Sequence, residues 1–227
     1  MPAEFDRYAG NYDALLQDPL RDLFKQSGNF FHLRKWMLIK EYLDRERFQA
    51  GTSAWLDVGC GKGELLSIGA GSFTRAVGCD PSEEMARSAL VEVRHQPCAD
   101  VLPFSDSSFD FVTAVCVYHH VPEKSRDLLT GEIYRLLRTG GLFCIIEHNP
   151  FNPVTQLIVK RSPVDRDARL LTSRQARRYI SSAGLQVLDS RYFLYLPEDL
   201  FHRLSALEGL LSGIPLGGQY AVFGKKS

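Results

Sequence analysis

An excess of charge of either sign is missing from this chain: 27 lysines and arginines stand against 27 aspartates and glutamates in 227 residues. Without a surplus there is no overall pull toward a polyanion, so neither nucleic acid nor an anionic membrane surface is expected as a partner. No apolar run approaches the roughly 20 residues that span a bilayer. The opening Met1-Pro2-Ala3-Glu4-Phe5-Asp6 has no basic-then-apolar leader, so a cytoplasmic location is expected. Cysteine is sparse. Cys60, Cys79, Cys98, Cys116 and Cys144 form no CxxC pair and are expected as reduced thiols in the core. HExxH, GxSxG and P-loop patterns are absent, and no metal site is expected. Repeats, low-complexity tracts and a composition-marked linker are absent too. One domain over residues 1–227 is the expectation.

What is present is concentrated in Leu56-Asp57-Val58-Gly59-Cys60-Gly61-Lys62-Gly63-Glu64-Leu65. An apolar run enters three glycines separated by single residues, and an amphipathic segment follows. The pattern predicts a strand, a tight turn bare of side chains, and a helix, so that a ligand can lie against the turn. The spacing is GxGxG, not the GxGxxG of dinucleotide sites, and Asp57 precedes the first glycine. A carboxylate there repels a pyrophosphate and attracts an ammonium or sulfonium group, which favours a cationic, zwitterionic nucleoside over NAD.

Strand and helix signals alternate beyond the turn. Strands are predicted at 54–58, 74–79, 93–98, 109–117 and 142–147. Helices are predicted at 62–70, from 82 to about 90 with Ser82 as cap, and at 123–138 with Gly140-Gly141 as its stop. Such alternation builds an α/β, doubly wound, mostly parallel sheet whose ligands lie at the carboxyl ends of the strands. Asp57, Asp80, Asp100, His119 and Glu147 all fall at or just beyond predicted strand ends. Residues 1–48 are helical in pattern and rich in aromatics. Residues 149–171, with Pro150, Pro153 and Pro163, predict a loop-rich excursion. A helix at 172–183, a strand around 185–196, an amphipathic stretch within 197–218 and a last strand at 219–225 complete the chain.

The ordered blocks LDVGCGKGEL, VGCDPSEEM, AD-VLPFSDSSFDFV, VYHHV and LLRTGGLFCIIE resemble class I S-adenosylmethionine-dependent methyltransferases, the small-molecule branch in particular, from about residue 52 to 147. The resemblance implies a Rossmann-like, seven-stranded, mostly parallel sheet with an antiparallel last strand. It also implies a helical N-terminal lid at 1–48, a donor-binding core at 52–147, acceptor-side insertions at 148–218, and S-adenosylmethionine as methyl donor. It places the methionine portion against Gly59, Cys60 and Gly61, with its ammonium near Asp57. It gives the ribose hydroxyls to Asp80, the adenine to Pro81, Met85, Asp100 and the N–H of Val101, and the methionine path to Val115 and Cys116. From the lid, Tyr8 is the residue expected near the donor. Cys60 is expected as a small filler, not a nucleophile.

Methyl transfer from a sulfonium is an in-line displacement with a neutral leaving group, so alignment in a dry pocket is the main task. A hydroxyl acceptor also requires a base. His119 is the first candidate, His120 the second, and Glu147 either orients a histidine or takes the proton itself. His148 and Asn149 contact the acceptor or shape the Asn149-Pro150 turn. Tyr192, Tyr195 and Phe201 are expected to wall the acceptor pocket. The arginines between 161 and 178 form a solvated face or dock an anionic group. O-methylation of a sugar or secondary metabolite is the leading expectation. N- or C-methylation, a nicotinamide oxidoreductase, a non-catalytic donor-binding protein and a tRNA or protein methyltransferase stand as alternatives.

Overall fold

The computed structural model describes residue 6 and residues 8–25, 27–98 and 101–227. Seven strands form one sheet: β1 (Ala54–Val58), β2 (Arg75–Asp80), β3 (Val93–His95), β4 (Phe109–Val115), β5 (Leu137–His148), β6 (Gln186–Phe193) and β7 (Gln219–Lys225). The helices are α1 (Tyr12–Leu15), α2 (Pro19–Asp22), α3 (Phe30–Arg45), α4 (Glu64–Gly69), α5 (Glu83–Arg87), α6 (Glu123–Leu136), α7 (Pro153–Arg161), α8 (Ser173–Ser182) and α9 (Glu198–Leu211). Strand order is β3-β2-β1-β4-β5-β7-β6, with β7 antiparallel to both of its neighbours. The central pairings β1–β2, β1–β4 and β4–β5 are parallel.

Central strands buried on both faces need apolar side chains in both directions, and the sequence supplies them. In β5, Phe143 and Ile145 face one core layer while Leu142, Cys144 and Ile146 face the other. In β7, Tyr220 and Val222 oppose Ala221 and Phe223 in the same way. The first layer is closed by Leu129, Ile133 and Leu136 of α6 and Ala176, Tyr179 and Ile180 of α8. The second is closed by α3, whose Trp36 stacks on Trp55 with ring centroids 5.5 Å apart, and by Leu65 and Leu66 of α4.

The chain winds outward from β1 to β3, then crosses back to place β4 beside β1. That reversal opens a crevice at the carboxyl ends of β1 and β4, the place where open α/β sheets bind ligands.

Several boundaries differ from the expectation. α6 ends at Leu136, because Leu137 is already extended (φ −70°, ψ 137°); the glycine pair lies inside β5, where Gly140 (φ +83°) accompanies a register shift against β4. β3 is only Val93–His95, shorter than the predicted 93–98. The excursion at 149–171 contains α7: Asn152 accepts from Thr155 N–H as N-cap and Pro153 occupies the first helical turn, where its missing N–H costs nothing. Cys98 is exposed, contrary to a core placement, whereas Cys79 and Cys144 are buried.

Candidate active site

A cavity of about 1390 Å³ runs along this crevice, bounded by the glycine turn, the ends of β2 and β4, the N-terminal helices and α7. At one end the glycine turn is held by backbone bonds: Gly59 and Cys60 N–H both donate to the Cys79 carbonyl, at 2.7 and 3.1 Å. Gly59, Gly61 and Gly63 all have positive φ. A Cβ on Gly59 would lie 2.6 Å from Val117, so this glycine permits strand-to-turn packing. A Cβ on Gly61 would meet only the tip of Glu64 at 3.9 Å, leaving its backbone open to the cavity.

Asp80 ends β2 with its carboxylate fully engaged by main chain. One oxygen accepts from Gly61 N–H and the other from Ser82 N–H, each at 2.8 Å. Each oxygen keeps a lone pair for a further donor. Burial pushes this carboxyl up against the opposing pull of those two bonds. Asp57 is buried at the end of β1 and accepts from Thr113 Oγ1 at 2.5 Å. Burial raises it to about 7, opposed by the Thr113 bond and the Lys35 charge.

Lys35 comes from α3, is buried, and donates to Cys116 Sγ at 3.6 Å. Cys116 itself terminates β4 with φ +59°. Burial alone would raise its thiol, but Lys35 and His148 outweigh that and lower it to about 6. By contrast, burial holds the Cys60 thiol well above its ordinary value, in keeping with a filler.

The other end of the cavity is built on histidines. His119 Nδ1 lies 2.5 Å from Glu147 Oε2, and Glu147 Oε1 accepts from Tyr118 N–H at 2.7 Å. His119 Nε2 and His120 Nε2 each lie 3.4 Å from Asp165 Oδ1. The segment carrying Asp165 is pinned to the strand end: Arg169 N–H donates to the His119 carbonyl, and buried Arg126 donates to the Val121 and Arg169 carbonyls. Burial opposes charge on His119, but Glu147 and the Asp165 bond overcome it and raise the imidazole to about 10. Burial lowers His120, and the Asp165 bond only partly offsets this. Burial would raise Asp165, yet its two histidine bonds hold it far below the usual carboxylate range. His119, His120 and Asp165 also have the spacing of a metal-ligand set.

Of the residues expected from sequence, Asp57, Gly59, Cys60, Gly61, Asp80, Pro81, Met85, Val115, Cys116, His119 and His120 line the cavity. Asp100 lies outside the described residues. Tyr8 is not among the residues that bound the cavity, whereas Tyr12, one turn later in α1, is. Val101 is exposed, with its N–H 3.4 Å from the Cys98 carbonyl, so the structure does not present it to the cavity. Glu147 is fully buried behind His119, out of the cavity wall. Tyr195 lines the cavity but Tyr192 and Phe201 do not: Tyr192 pairs with Ser173, and Phe201 lies under the Arg34 guanidinium. Asn149 Nδ2 donates to the Pro215 and Gly217 carbonyls, which makes it a turn former. Of the arginines between 161 and 178 only Arg161 reaches the cavity, and it pairs with Asp18 at 3.0 Å. Sequence reasoning missed His32, Lys35 and Asp165. The signal for Lys35 was its position one residue before Trp36 on the apolar face of α3; no local signal marked Asp165.

Residues 56–145 match the profile of a family described as "Methyltransferase domain". A demethylmenaquinone methyltransferase from Symbiobacterium thermophilum is 32% identical over 65% of this chain and 59% of its own length. A probable tRNA methyltransferase 9B from Bos taurus is 30% identical over 56% of this chain and 28% of its own. The chain thus spans less than two thirds of the length of either curated relative. A Thermotoga maritima S-adenosylmethionine-dependent methyltransferase, described as a possible histamine N-methyltransferase, superposes with a TM-score of 0.69 at 18% identity, covering 98% of both chains. Residues 56–145 thus match a methyltransferase-domain model, and the chain that carries them has the fold of class I S-adenosylmethionine-dependent methyltransferases.

Proposed function

We propose that the protein transfers a methyl group from S-adenosylmethionine to a hydroxyl of a small-molecule acceptor. The observation that carries this reading is the single cavity joining the glycine turn and Asp80 to the His119–His120–Asp165 cluster. Its volume of about 1390 Å³ exceeds the usual range for one small ligand and suits two side by side. The donor end fits the nucleoside on three counts. Gly61 leaves open backbone, Asp80 keeps acceptor capacity for two ribose hydroxyls, and Lys35 and Asp57 supply one charge of each sign for an amino-acid carboxylate and ammonium. When bound, the donor supplies an electrophilic methyl on a sulfonium sulfur.

The protein's own residues hold the acceptor and its proton. His119 is cationic at neutral pH and clamped between Glu147 and Asp165, so it orients the cluster. His120 is neutral there, lines the cavity and is steadied by Asp165, so it receives the acceptor's proton. Leu15, Phe31, Ile158, Val159 and Leu194 make the walls apolar, which supports a secondary metabolite with an apolar body over a free sugar.

Calorimetric titration with S-adenosylhomocysteine, with NAD run alongside, tests the donor site. Micromolar binding of the nucleoside and none of NAD is expected; binding of NAD alone overturns the reading. His120→Asn should then lower turnover about 10²–10⁴-fold with donor affinity unchanged. A normal rate would remove His120 as the base.

A further inference from the structure

Nε2 of His119 and Nε2 of His120 each stand 3.4 Å from Oδ1 of Asp165 at the acceptor end of the cavity, and the three residues offer ligand atoms that all lie within 4.8 Å of one another. We propose that these three atoms bind a divalent metal ion of the zinc class, leaving one coordination position open to the cavity for an oxygen of the acceptor. Two of the three ligand separations suit such an ion before any movement. Around a tetrahedral ion with bonds of about 2.0–2.1 Å, neighbouring ligand atoms stand about 3.3–3.4 Å apart. Asp165 Oδ1 is 3.4 Å from each histidine nitrogen.

The surroundings complete what such a site needs. Glu147 takes the Nδ1 side of His119, which fixes the ring so that Nε2 points at the cluster; a carboxylate behind a ligating histidine does this in metal sites generally. Glu147 is itself held by Tyr118 N–H. Glu147 and Asp165 bring two negative charges to a buried region, and a dication neutralises them when both imidazoles are neutral. Two nitrogens and one carboxylate oxygen suit zinc or a neighbouring first-row ion, whereas magnesium and calcium prefer oxygen alone.

This inference uses the cavity of the proposed methyltransferase but neither a cationic His119 nor His120 as its base, because proton and ion compete for the same atoms. With the ion in place, Lewis acidity lowers the pKa of an acceptor hydroxyl or enol and its proton leaves to solvent. The acceptor oxygen then forms its bond to the methyl carbon as the carbon–sulfur bond breaks, and that electron pair stays on the sulfur.

The test is titration of the full chain, stripped of metal, with cobalt(II), followed by displacement with zinc(II). One equivalent of cobalt should give the visible absorption of a four-coordinate ion, and zinc should abolish it. Asp165→Asn and His120→Asn should each remove the absorption, and Glu147→Gln should weaken cobalt affinity about 10–100-fold. Affinity for S-adenosylhomocysteine, measured on the same samples, verifies that the variants are folded. It also separates the two readings, since failed nucleoside binding by the wild type counts against the donor site and not against the metal site. No absorption in the wild type, or absorption unchanged in both ligand variants, overturns the metal site.

Discussion

Asp57 couples stability to pH and, in the proposed donor site, couples donor binding to it as well. Its folded-state pKa of about 7 lies above the ordinary carboxylate value of 3.8, because burial outweighs the Thr113 bond and the Lys35 charge. Between those two values the folded chain holds a proton that the unfolded chain has released, so stability falls as pH rises from about 4 to about 7. Asp57→Asn should flatten this slope and cost little stability at neutral pH, as read from urea midpoints across that range. In the proposed donor site the sign is opposite, because an ammonium group beside Asp57 would favour the carboxylate. S-adenosylhomocysteine affinity should therefore rise as pH passes through about 7 in the wild type, and lie lower and flatter in the variant. A wild-type affinity that falls over this interval would remove Asp57 from the ammonium. Asp57 was legible because it adjoins the glycine turn. Lys35 and Asp165 were not, since each reaches the site from an element far away in sequence.

Among elements, α3 does more than cover the sheet. The face that buries Trp36, Ile39 and Tyr42 also carries Lys35 into the cavity, so packing of the helix positions a charged group. Its partner α9 is tied to it by Arg34 and Glu208, both buried, with the Arg34 guanidinium over the Phe201 ring. Glu208 also accepts from Leu194 N–H at 3.1 Å. Glu208→Ala leaves a buried guanidinium without its counter-charge and should cost about 3–5 kcal/mol in urea unfolding. Glu208→Gln, which keeps an acceptor, should cost less; equal losses would mean that the charge is irrelevant. A second packing restraint lies between α3 and α4, where a Cβ on Gly69 would fall 2.6 Å from Trp36. Gly69→Ala should destabilise by about 1–3 kcal/mol through overpacking, measured in the same assay. The helix α7 was hidden because prolines were read as breakers, although Pro153 follows the cap Asn152, a position where proline starts a helix.

For the molecule as a whole, the cavity wall draws on both ends of the chain: Tyr12, His32 and Lys35 from the N-terminal helices, Asp57 to Cys116 from the sheet, and Asp165, Tyr195 and Gln219 from beyond β5. A ligand bound there stabilises the folded state against an unfolded chain in which these groups are scattered. S-adenosylhomocysteine at about 100 times its Kd should add about 2.7 kcal/mol, or roughly 5–10 °C in melting temperature for a chain of this size. Scanning calorimetry at several ligand concentrations checks this, and a midpoint insensitive to ligand would contradict binding at the cavity. Among the described residues, no helix is long and apolar enough to cross a membrane.

The succession of strands along the chain, the glycine turn and the acidic residue ending β2 were set locally. Strand periodicity, glycine at positive φ and a carboxylate at a strand end are properties of a few neighbouring residues, so the sequence by itself determined the fold class and the part of the cavity made by the glycine turn, Asp57 and Asp80. Tertiary structure alone decided the rest. It placed Tyr12 in the cavity wall, buried Glu147 behind His119, and brought Asp165 to both histidines. Those outcomes depend on contacts between residues separated by tens of positions: burial opposes charge on both His119 and His120, and the Glu147 and Asp165 contacts lift His119 while its chain neighbour stays lowered. Spacing along a sequence carries no record of which carboxylate a folded loop will deliver, and so the charge of each imidazole was decided only when the chain closed around it.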